Sequence, residues 1–66
     1  MNTNFLATFS HTSDKIESDD WEEIIEKIKL QIENDKPIES QIEIKNKNGE
    51  VLELFEYKFQ RWSSLL

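Results

Sequence analysis

With 66 residues the chain is one domain near the lower limit of unaided folding, because a domain of this size buries only about 60% of the surface its unfolded form exposes. The absence of cysteine excludes disulfides and thiolate metal sites and fits a cytoplasmic protein. Fourteen acidic against eight basic side chains give a net charge of −6, a field that repels phosphate backbones and favours basic partners.

The charge is uneven along the chain: residues 19–36 carry −4, whereas residues 51–66 are neutral. No apolar run approaches the roughly 20 residues that span a bilayer. Met1-Asn2-Thr3-Asn4 has no basic residue and does not read as a secretory signal, so no membrane contact is expected.

Residues 4–11 predict a strand, with Phe5, Ala7 and Phe9 alternating with Leu6, Thr8 and Ser10. Residues 12–18 read as a polar connection in which Ile16 is the only apolar side chain. A helix is expected over 19–35. Ser18 or Asp19 can cap it, and Asp19 followed by Glu22 makes a capping-box pattern. Asp19, Asp20, Glu22 and Glu23 place negative charge at the positive end of the helix dipole. Trp21, Ile24, Ile25, Ile28 and Ile32 form one apolar stripe, and Leu30 falls on the opposite side. Asn34-Asp35-Lys36 before Pro37 is a stop signal, since the residue preceding proline avoids the helical region.

Residues 38–46 and 50–59 predict a hairpin turning at Asn46-Lys47-Asn48-Gly49. A two-residue Asn48-Gly49 turn would set Ile44 opposite Glu53. A three-residue loop flanked by Asn46 and Glu50, with Gly49 left-handed, sets Ile44 opposite Leu52 and Ile42 opposite Leu54. The second register assembles one apolar face and is the one expected. Val51, Phe55, Tyr57 and Phe59 must then point to the other face, so the last strand is apolar on both sides and belongs in the middle. The expected fold is α+β: a single small βαββ domain, a three-stranded sheet of order 1-3-2 with one helix packed on one face. Residues 60–66 are expected to form a tail.

Little in the chain supports catalysis. His11 is the only histidine, no Gly-x-Ser-x-Gly turn is present, and a single glycine rules out a phosphate-cradling loop. His11, Asp14, Glu17, Asp19 and Asp20 match no calcium-loop spacing, and the acids among them suit the helix N-terminus. No enzyme activity, metal or cofactor is therefore expected. Glu22, Glu23, Glu26 and Glu33 read as a solvated face, with Glu23 and Lys27 an i,i+4 pair. Phe55, Tyr57 and Trp62 beside Lys58 and Arg61 could stack on bases, but a neutral strand in a chain of −6 argues against direct nucleic-acid binding.

An aromatic sheet face remains, carried by Phe5, Phe9, Phe55, Tyr57, Phe59 and Trp62. One helix cannot cover both faces of a sheet, so this face predicts either a covering tail or an interface. The expected function is a small acidic protein-interaction module, homodimeric through that face. The alternative is an inhibitor whose acidic face (Asp19, Asp20, Glu22, Glu23, Glu26 and Glu33) blocks a basic, nucleic-acid-binding surface of a target protein. The size and the strand-helix-hairpin layout ending in Arg61-Trp62 look like many very small phage-encoded proteins, some anti-CRISPR inhibitors among them. No motif diagnostic of one family accompanies that likeness.

Overall fold

The computed structural model describes residues 4–66; residues 1–3, which belong to the stretch judged above not to be a secretory signal, lie outside the described residues. The elements are β1 (Phe5–Phe9), β2 (Lys15–Ser18), α1 (Trp21–Asp35), β3 (Glu39–Asn46), β4 (Val51–Lys58) and β5 (Arg61–Ser64). The strands form one five-stranded antiparallel sheet in the order β2-β1-β3-β4-β5. This corrects the expected three-stranded sheet of order 1-3-2 in both strand number and strand order.

The missing strands explain the wrong order. Residues 12–18 are not simply a connection, because Lys15–Ser18 doubles back as an edge strand that needs only Ile16 inward, beside Ala7. With β2 reversing the chain before the helix, the strand after the helix runs antiparallel to β1 and pairs with it directly. Ala7 therefore lies opposite Ile44 and Phe9 opposite Ile42, and β3 becomes the central strand. At the other end, residues 60–66 are not a free tail: Tyr57 pairs with Trp62 and Phe55 with Ser64.

The β3–β4 register is the second correction. The loop is closed by Asn46 and Glu50, with Gly49 at φ 84°. Immediately beyond it Lys45 pairs with Val51 and Ile44 with Glu53, so Leu52 is an extra residue in a β-bulge. The bulge slips the ladder by one residue and turns every later side chain of β4 over. Ile42 faces Phe55 and Ser40 faces Tyr57, rather than Ile42 facing Leu54. Phe55 and Tyr57, partly buried against the core, offer it more apolar surface than two leucines would.

Phe55 and Tyr57 consequently share the helix side of the sheet with Phe5, Phe9 and Trp62, so the aromatic face is not the bare one. The bare face is a charge-balanced ladder, with Lys15, Lys45, Lys58 and Arg61 against Glu17, Glu39, Glu43 and Glu56. The whole net charge therefore lies off this face.

The helix forms as its stripe predicts. Ile24, Ile28 and Ile32 are buried against Ala7, Phe9, Ile42 and Ile44, while Ile25 is only partly covered. The cap is Asp20 rather than Ser18 or Asp19: its side chain accepts from the Glu22 amide at 3.0 Å. Asp19 instead accepts from the Asn4 amide, and Ser18 ends β2 buried, bonded to the Asp20 amide and to Glu23. Lys36 closes the helix in the left-handed conformation, its amide bonded to the Ile32 carbonyl at 2.8 Å.

Candidate functional site

The helix packs over β1 and β2, so the helix-side surface of β4 and β5 extends beyond its cover. Between them lies a groove of about 260 Å3 lined by Ile25, Ile28, Lys29, Phe55 and Trp62. The aromatic wall is a cluster: Trp62 sits 5.1 Å from Tyr57 and meets Phe55 edge-on at 6.3 Å. Lys29 is the single charge among the lining side chains. A hollow of similar size is lined by the polar residues Ser10, Glu39, Ser40, Gln41 and Glu56 and has no aromatic wall.

The six aromatic interface candidates are thus divided. Phe9 is core, and Phe5 is partly buried with its ring edge-on to Trp21 at 5.2 Å. Phe55, Tyr57 and Trp62 stand together at the groove. Phe59 belongs to none of these: it is 77% exposed at the β4–β5 turn.

That turn matters because it sets β5 in place. Phe59 and Gln60 have φ of 53° and 60°, as a two-residue hairpin loop of the primed type requires. Lys58 and Arg61 flank it, and the Leu65 amide bonds to the Leu54 carbonyl. In an antiparallel ladder alternate residues bond inward and outward. With Leu65 bonded inward, the N–H and C=O groups of Trp62 and Ser64 point out along the free edge of the sheet. The groove and this edge adjoin, sharing Trp62.

The six acidic candidates divide too. Asp20 caps the helix and Asp19 holds the Asn4 amide. Glu23 bonds Lys27 at 3.0 Å and Ser18, contacts that hold its carboxyl below the usual range, the lysine being the larger cause. Glu22, Glu26 and Glu33 form the exposed remainder of the acidic helix face.

Sequence reasoning missed one cluster altogether. His11, at the end of β1, bonds Asp35 through Nε2 at 2.8 Å and Ser40 through Nδ1 at 2.7 Å. A carboxylate only accepts, so Nε2 donates; in the neutral ring Nδ1 then accepts from the Ser40 hydroxyl. His11 first, and Gln31 second, hold the Asp35 carboxyl below its usual range. The composition is that of a nucleophilic triad, but Ser40 is 2% exposed and no substrate carbonyl reaches its oxygen. The cluster ties the last residue of α1 to β1 and β3. Its one sequence signal was Asp35 itself, a negative charge at the negative end of the helix dipole.

Among the described residues no group of three or more His, Cys, Asp or Glu side chains could hold a metal ion. Among them, too, no helix is long and apolar enough to cross a membrane. Comparison with known proteins found no matching family model, no matching curated protein and no matching solved structure.

Proposed function

We propose that this chain is a small acidic, non-catalytic protein-binding module of the cytoplasm, working through the strip formed by the groove and the β5 edge and assembling there as a homodimer. The observation that carries it is the adjacency of the two features. An added strand along β5 would gain main-chain hydrogen bonds from Trp62 and Ser64, while one of its side chains entered the apolar groove. Its strands, within residues 51–66, also carry no net charge, so the strip accepts partners that the acidic helix would repel.

A photoreactive residue at position 29, beside the groove, tests this in cells against the same residue at position 15, on the bare sheet face. Adducts are expected from position 29 and not from position 15. Equal yields from the two, or adducts from position 15 alone, would overturn it.

A second function is favoured by the charge partition alone. With all net charge off the bare face, the exposed Glu22, Glu26 and Glu33 could occupy a basic, nucleic-acid-binding surface of a target as a phage-type inhibitor does. Replacing these three by glutamine would then weaken binding, and the effect would shrink at high salt.

A further inference from the structure

We infer that β5 pairs antiparallel with β5 of a second copy about a two-fold axis through Ser63, fusing the two sheets into one. The inference rests on the strip being the working surface, and it names both the occupant and the register.

Three observations converge on this contact. The first is charge. A chain of −6 meets its own copy best where it is neutral, and residues 51–66 contain two acids and two bases. In the joined sheet β3 and its copy would stand five strand spacings apart, about 24 Å. The acidic helices, packed over β1 and β2 beyond them, are then separated by far more than the Debye length of about 8 Å.

The second is the edge itself. β5 is short and carries one charge, Arg61, but it has neither a proline nor a bulge to blunt its edge. Its bonded stretch runs from Arg61 to Leu65. Ser63 is the midpoint, so the axis through Ser63 gives the longest self-pairing and brings outward-pointing Trp62 opposite outward-pointing Ser64 of the copy.

The third is size. On the groove face this register runs Phe55, Ser64, then the second copy's Trp62 and Tyr57, placing the indole across from the smallest side chain of the row. Each groove is thereby closed by the other copy's tryptophan. On the bare face Arg61 meets Leu65 of the copy, and like charges are not set opposite one another. An axis through Trp62 would instead oppose two indoles and run the pairing into the Phe59–Gln60 turn.

The test uses the purified chain, whose lack of cysteine makes single introduced thiols unambiguous. Sedimentation across a concentration series should show a two-fold rise above 7.9 kDa. Ser63→Cys should oxidise to a covalent dimer, because residues facing each other in a non-hydrogen-bonded pair lie about 4.5 Å apart, within disulfide reach. Ser13→Cys, in the exposed β1–β2 turn, should not. Ser64→Pro removes an outward N–H and the exposed hydrogen bond that the Ser64 hydroxyl donates to Glu53, neither of which belongs to the β4–β5 ladder, so the chain should keep its folded spectrum and lose the mass rise. A monomer at every concentration would overturn the inference, as would a dimer that Ser63→Cys fails to trap or that Ser64→Pro leaves intact. Position-29 adducts to another protein would meanwhile leave the binding-module function standing, which separates the two failures.

Discussion

His11→Ala should cost far more than its half-buried position in a loop implies, and the cost should depend on Ser40. The Ser40 hydroxyl is buried, and His11 is its hydrogen-bond partner. Removing the ring orphans that hydroxyl, at about 1–3 kcal/mol. It also removes the edge contact with Phe9 at 5.5 Å, a type of contact worth about 0.5–1.5 kcal/mol. The loss of roughly 2–4 kcal/mol is a large part of the ~3–10 kcal/mol that a domain of this length holds. Ser40→Ala alone should cost only about 0.5–1.5 kcal/mol, because His11 can turn its nitrogen toward water. In the double variant no hydroxyl is left to orphan, so the two losses should fall short of additivity by about 1–2 kcal/mol. Urea unfolding reads this directly: with a slope of about 1 kcal/mol/M, the coupling moves the midpoint by about 1–2 M. Additivity within about 0.5 kcal/mol would refute the His11–Ser40 bond as the link between His11 and β3.

Deleting Leu52 should remove the bulge and leave Ile44 opposite Glu53 and Ile42 opposite Phe55 as they are; near-ultraviolet circular dichroism should stay native, whereas a bulge-free starting ladder would be inverted by the deletion. Phe59→Asn with Gln60→Gly should raise the urea midpoint, since left-handed conformations cost ordinary residues roughly 1–2 kcal/mol each; a lower midpoint would mean that Phe59 packs in the fold. Asp35 and Glu23 titrate below their ordinary values of 3.8 and 4.5, so the stability they add is present above those values and is lost as pH falls through the lowered ones. Unfolding free energy measured against pH should therefore decline below about pH 4, and Asp35→Asn with Glu23→Gln should flatten that decline.

The helix was legible because its signals agree: isoleucines at helical spacing, acids in the first turn, and Lys36-Pro37 at the stop. β2 was hidden because an edge strand needs one inward apolar residue, and Ile16 alone makes no period. β5 was hidden because its turn uses Phe59 and Gln60 where Asn and Gly would have announced it. The β4 register was undecidable by pattern, since Val51, Leu52, Leu54, Phe55, Tyr57 and Phe59 put apolar side chains on both parities. A one-residue slip therefore leaves an apolar face either way, and the bulge chooses the aromatic one. The same slip moved Phe55 and Tyr57 from an imagined bare face to the groove. His11 joins partners 24 and 29 residues away, a constellation that no local pattern encodes.

The amide spectrum of labelled protein, followed residue by residue as concentration rises, tests the central claim most directly. The strip account predicts shifts at Ile25, Lys29 and Phe55, with Trp62 and Ser64 moving most and their amides gaining protection from exchange. Shifts gathered instead around Leu6 and Leu54 on the bare face, or along β2, would place the contact elsewhere and contradict it.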